Sequence, residues 1–90
     1  MTKPKPKHLI LGIHITERLQ HALPVQHVLT EFGGNIKTRL GLHEISDKET
    51  TASGVVLIEF VGSESRFNEF THKLDAIDGV EAKPLVFDHP

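Results

Sequence analysis

The order of hydrophobic periodicities constrains this chain more than any other feature. From residue 8 onward the apolar positions recur with a period of two, then about 3.6, then two, two, about 3.6 and two again. In residues 8–15, Leu9, Leu11, Ile13 and Ile15 alternate with His8, Ile10, Gly12 and His14. Apolar content on both sides predicts a central strand. Residues 16–23 are polar and irregular, and Pro24 fits the first turn of a helix, where its missing N–H costs nothing. Val25, Val28, Leu29 and Phe32 then form one helical stripe, which Gly33 and Gly34 are expected to end in the left-handed conformation.

Residues 35–45 read as a long strand with Ile36, Thr38, Leu40 and Leu42 on one face and Lys37, Arg39, Gly41 and His43 on the other. A polar hairpin loop is predicted over residues 46–53, followed by a β-branched strand over 54–61. In that strand Val56, Ile58 and Phe60 share one face, and Val55, Leu57, Glu59 and Val61 the other. Ser63 is placed to cap a second helix whose buried stripe is Phe67, Phe70, Leu74 and Ile77. Gly79 ends that helix, and residues 80–87 form the last strand. Pro84 cannot donate to a ladder, so this strand belongs at a sheet edge.

Strand, helix, strand, strand, helix, strand in 90 residues is the α+β, ferredoxin-like βαββαβ pattern. Right-handed crossovers place both helices on one face of an antiparallel sheet of order 4-1-3-2. The expected organisation is a disordered Lys/Pro tail over residues 1–7 and a single domain over residues 8–90.

Composition narrows the function classes. The chain has no Cys, hence no disulfide, thiolate nucleophile or thiolate metal ligand. Its apolar runs are too short to cross a bilayer, and its start lacks the apolar stretch of a signal peptide, so the expectation is a cytoplasmic protein with no membrane partner. Lys3, Lys5 and Lys7 lie in the tail; the remaining seven basic residues face twelve acidic ones, a net charge of −5. An acidic body argues against direct nucleic-acid binding, which draws its affinity from phosphate contacts.

Two helices cover only one side of a four-stranded sheet. Simple alternation gives the other side Ile10, Gly12 and His14; Lys37, Arg39, Gly41 and His43; and Val55, Leu57 and Glu59. Exposed Ile10, Val55, Leu57 and Val61 read as an interface with another copy of the chain, a homodimer or homotetramer. The polar interruptions read as a ligand site made by Arg39, Gly41, His43, His14 and Glu59. There Glu59 pairs with Arg39, or His14, His43 and Glu59 hold a divalent metal such as nickel or zinc. The junction at residues 16–23 is a further place for an anion, beside the expected helix start.

No G-x-S-x-G, G-x-x-x-x-G-K-[ST] or H-E-x-x-H pattern occurs, and no residue is assigned a catalytic role. The main reading is a binding or assembly domain, not an enzyme. The alternative is a small ferredoxin-like enzyme, a cofactor-free oxygenase or isomerase, with His14 or His43 as general base.

The apolar first strand, the helix closed by glycine, the segment from Ile36 through Arg39 and Gly41 to Glu44, and the run Lys73-Leu74-Asp75-Ala76-Ile77-Asp78-Gly79-Val80 together carry a resemblance. The chain resembles the small ACT-like proteins described as regulators of the iron-only hydrogenase system. These are similar in fold to the C-terminal, metal-binding domain of the nickel-responsive repressor. The resemblance implies a regulatory or sensory module, dimeric or larger, that binds a small ligand or ion at subunit interfaces. It does not carry over the repressor's nickel site, which uses Cys as well as His. Nor does it carry over a ribbon-helix-helix segment, since only the Lys/Pro tail precedes the first strand.

Overall fold

The alternating segments pair as four antiparallel strands. The computed structural model describes residues 7–16, 18–43 and 54–88. Its elements are β1 (His8–Ile15), α1 (Arg18–Glu31), a short 3-10 turn (Gly33–Asn35), β2 (Ile36–His43), β3 (Gly54–Phe60), α2 (Glu64–Asp75) and β4 (Val80–Phe87). The sheet order is β2-β3-β1-β4, the expected 4-1-3-2 read from the other edge. The predicted loop at residues 46–53 lies outside the described residues, as does the tail up to residue 6. Lys7 is described, and its Nζ lies 3.2 Å from Glu64 Oε2 at the start of α2.

Both helices pack on one face and bury the odd-numbered side of β1. Leu9, Leu11, Ile13 and Ile15 meet Ile58 and Phe60 of β3, Val80 and Ala82 of β4, and the helical stripes. Fully burying a Leu, Ile or Phe contributes about 1.5–3 kcal/mol, so this one cluster carries most of the favourable free energy. Four of the five Phe tie the layers together. Phe70 lies 5.0 Å from Phe32 and 5.2 Å from Phe60, and Phe60 lies 5.3 Å from Phe67, measured between ring centroids. The Arg66 guanidinium closes the cluster from solvent, 4.1 Å above the Phe32 ring.

The second helix follows its start and stripe signals but ends at Asp75 with Ala76 as C-cap, so Gly79 lies in the turn after it and not at its end. Ser63 is the N-cap, its Oγ accepting from the Arg66 N–H at 3.1 Å, and Phe67, Phe70 and Leu74 form the buried stripe. Ile77 lies just past the helix end and is partly buried against the same core. Gly79 has φ +79, and its carbonyl accepts from the Thr16 N–H at 2.7 Å. His21 Nδ1 donates to the Thr16 carbonyl at 2.7 Å. A Cβ at position 79 would run into the His21 ring, so glycine is required both by backbone conformation and by space. β4 is an edge strand, and it accommodates Pro84 opposite Leu11.

The first helix departs from expectation at both ends. It begins at Arg18, which leaves Pro24 inside it. An interior proline forfeits one backbone bond and crowds the preceding turn, a cost of about 3 kcal/mol. Packing explains the arrangement: Leu23 and Pro24 are exposed, whereas Val25, Leu29 and Phe32 are buried. Pro24 therefore marks where the helix meets the core, not where the helix starts. The anion site expected at residues 16–23 loses its premise, because no helix begins at Pro24. At the other end, Gly33 and Gly34 continue into the 3-10 turn, and neither adopts the left-handed conformation.

The most consequential departure is in β2. Ile36 pairs with Phe60, but Thr38 pairs with Glu59, so Lys37 is the extra residue of a β-bulge. A strand with one extra residue turns over all positions beyond it. Thr38, Leu40 and Leu42 hold the register of Glu59, Leu57 and Val55 on the open side. Arg39, Gly41 and His43 hold the register of Ile58, Val56 and Gly54 on the helix side. The alternation inferred for β2 is thus reversed from Thr38 onward, and only Ile36 keeps its expected place beside the core.

Candidate functional site: the open face of the sheet

The three ladders give the open face in rows. Across β4, β1, β3 and β2 they read Leu85, Ile10, Glu59, Thr38; then Lys83, Gly12, Leu57, Leu40; then Glu81, His14, Val55, Leu42. Phe87 and His8 pair in the row above the first. Adjacent strands are about 4.8 Å apart and successive rows about 6.8 Å apart.

An apolar band crosses this grid on a diagonal. It starts at Phe87 and Leu85 on the β4 edge, passes through Ile10 and Leu57, and ends at Leu40 on the β2 edge. Phe87, Leu85 and Leu40 are about half exposed. Gly12 leaves the centre open: Leu57 Cδ2 lies 3.8 Å from where a Cβ on Gly12 would stand. The bulge brings Leu40 into this band, which extends the surface expected from Ile10, Val55, Leu57 and Val61.

Each side of the band ends in a charged corner. At one, Glu59 accepts from Thr38 Oγ1 at 2.9 Å and from His8 Nε2 at 2.8 Å, with Lys37 Nζ at 3.9 Å. The carboxylate is about a quarter exposed. Thr38, and then His8, hydrogen-bond its ionised form, and the Lys37 charge adds to them, holding the Glu59 carboxyl below the usual glutamate range despite partial burial. At the opposite corner Lys83 Nζ lies 3.5 Å from Glu81 Oε2, beside His14.

The residues expected to form one site are distributed over both faces. Arg39 does not reach Glu59; its Nη1 lies 3.4 Å from Gln26 Oε1 of α1, on the helix side. Gly41 is opposite Val56, and His43 is opposite Gly54 at the ladder end. His14 is on the open face but sits opposite Val55, four residues along the ladder from Glu59, or about 13 Å. His14 and Glu59 therefore do not converge, and the His43 side chain is outside what the structure describes. Among the described residues no group of three or more His, Asp or Glu is placed to hold a metal ion.

The imidazole that does meet Glu59 is His8. It is the diagonal neighbour of Glu59, since Glu59 is directly opposite Ile10. The signal was present in the sequence: His8 shares the parity of Ile10 and His14, so it had to lie on the open face with Glu59. An apolar cleft of about 440 Å³, lined by Leu23, Pro24, His27, Val28 and Ile77, lies on the opposite, helical side.

Fold and surface together define a two-layer ferredoxin-like domain with an uncovered, partly apolar sheet. No family model matches the chain. No curated protein matches it either. Among solved structures it is similar to an uncharacterised protein of Thermotoga maritima, with a TM-score of 0.67 and 23% identity over 90% of this chain and 98% of that one. That likeness shows the fold. A dimeric ferredoxin-like protein from an uncultured marine organism aligns over 91% of this chain and 94% of its own, with a TM-score of 0.48 and 10% identity. No helix among the described residues is long and apolar enough to cross a membrane.

Proposed function

We propose that the chain is a small regulatory module that works as a homo-oligomer joined through the open face of its sheet and responds to a small ligand or ion bound there. The observation that carries this reading is the apolar diagonal from Phe87 to Leu40, half exposed at its ends and flanked by charge. A surface of that kind marks an interface. Strands of eight residues and four strand spacings give a footprint of about 500 Å² per copy, or about 1,000 Å² in a dimer. That reaches the lower bound for a specific interface, so assembly depends on concentration.

The resemblance of the sequence to ACT-like regulators supports the sensory part of the reading. The Glu59 corner offers a ligand one carboxylate, one hydroxyl, one imidazole and one ammonium. A divalent ion held by His14 would not share Glu59, which lies four residues along the ladder from the partner of His14.

Sedimentation velocity across a wide concentration range tests the assembly. A melting screen with nickel, zinc, cobalt, iron and common amino acids tests the response, because a ligand bound only by the folded state raises its stability. A species that stays monomeric throughout removes the first claim. A well-folded oligomer whose melting none of these probes shifts removes the second.

A further inference from the structure

The charged corners and the apolar diagonal determine how two copies can meet. This step rests on the open-face association proposed above. Two sheets facing each other about a two-fold axis require that axis to lie in the plane between them, so each position faces its mirror position across the axis. Three directions for the axis can be compared on the residue grid.

An axis parallel to the strands, between β1 and β3, sets Ile10 against Glu59 and Leu85 against Thr38. An axis across the strands through Gly12 and Leu57 sets Ile10 against His14, Leu85 against Glu81 and Glu59 against Val55. Both bury a carboxylate or an imidazole against an aliphatic side chain, which is costly without a partner. An axis along the diagonal sets the apolar band on its own copy and brings each charged corner over the opposite corner.

We propose that two copies pair about that diagonal, with Glu59 of each chain against Lys83 of the other and Lys37 against Glu81. Within one chain the short pairs are Lys37 with Glu59 and Lys83 with Glu81, at opposite corners of the face. Pairing joins them into two clusters of alternating charge, and the strands of the two sheets cross steeply, in the orthogonal mode. Charge complementarity of this kind sets orientation and rejects wrong pairings more than it adds affinity. The chain thus has a self-recognition code of four residues, two on β4 and two in and beside the β2 bulge.

The test uses charge reversals in the full chain. Lys83→Glu alone sets carboxylates together in its own homodimer, and Glu59→Lys alone sets ammonium groups together. Each single variant is expected to dimerise roughly tenfold or more weakly than wild type. Mixing the two restores association as a heterodimer, because both of its contacts are again of opposite sign. Glu59 also holds Thr38 and His8, so the pair Lys37→Glu and Glu81→Lys repeats the experiment with those two hydrogen bonds left in place, although Lys37 lies 3.9 Å from the Glu59 carboxylate. Circular dichroism establishes that each variant is folded. Mixtures of both pairs that associate no better than the single variants overturn the diagonal pairing while a wild-type dimer persists. A wild-type chain that is monomeric throughout overturns the interface itself.

Discussion

Replacing Leu40 by alanine separates two pictures of the second strand and at the same time measures the interface. Unbroken alternation puts Leu40 under the helices, where truncation costs about 2–5 kcal/mol. For a domain of this size that lowers Tm by about 8–40 °C. The bulge at Lys37 instead puts Leu40 opposite Leu57 on the open face, 51% exposed. There the expected loss of folding stability is under about 1 kcal/mol, measured by urea unfolding at a concentration where the chain is monomeric. Association should suffer more. Burying the exposed half of a leucine contributes about 0.8–1.5 kcal/mol, half the value for a whole side chain, and alanine retains part of it. The loss is then about 0.5–1 kcal/mol per copy, and a two-fold dimer incurs it twice. The dimer dissociation constant should rise about 5–30-fold by sedimentation equilibrium. A stability loss above about 2 kcal/mol would refute the bulged register. An unchanged dissociation constant in a stably folded variant would refute the interface.

Three further outcomes follow from the same geometry. Deleting Lys37 removes only the extra residue and leaves Ile36 opposite Phe60 and Thr38 opposite Glu59, so the fold should survive with Tm lowered by at most about 8 °C; deleting Arg39 instead closes the bulge by moving Lys37 opposite Glu59 and Thr38 opposite Ile58, so it should cost more stability than deleting Lys37. Gly79→Ala should cost about 2 kcal/mol or more, from φ +79 and the collision with His21; in a His21→Ala background the cost should fall by about 1 kcal/mol, and additive effects in the double-mutant cycle would show that the two residues are not in contact. The Glu59 carboxyl is held below its ordinary range in the fold by Thr38 and His8, so its stabilisation is complete above the unfolded-state value and is lost as pH falls through the folded one. Urea melts between about pH 7 and pH 3 should show this acid-side loss in the wild type and less of it in Glu59→Gln, and identical profiles would mean that the hydrogen bonds at Glu59 do not favour its ionised form.

Much of the architecture was legible because it depends on local pattern. The odd-numbered apolar residues of β1, the stripe Phe67, Phe70 and Leu74, the cap at Ser63, the left-handed turn residue Gly79 and the edge position of Pro84 all express one residue's preference or one element's period. The start of α1 was not legible. Pro24 is a good start signal, yet the helix begins at Arg18, and Ala22, Leu23 and Pro24, just ahead of the buried stripe, are exposed. The site was legible only in part. Ile10, Leu57, Glu59 and His14 are on the open face as alternation requires, and the same alternation places His8 beside them.

The sequence by itself determined the order of elements, the composition of the core and the existence of one uncovered sheet face. Which residues of β2 look out from that face was decided only by tertiary structure. A bulge is a property of two strands in register: it is set where Ile36 meets Phe60 and Thr38 meets Glu59, and no periodicity within β2 records it. That single extra residue puts Arg39 toward α1, brings Leu40 into the apolar diagonal, and leaves Glu59 to be held by Thr38, His8 and Lys37.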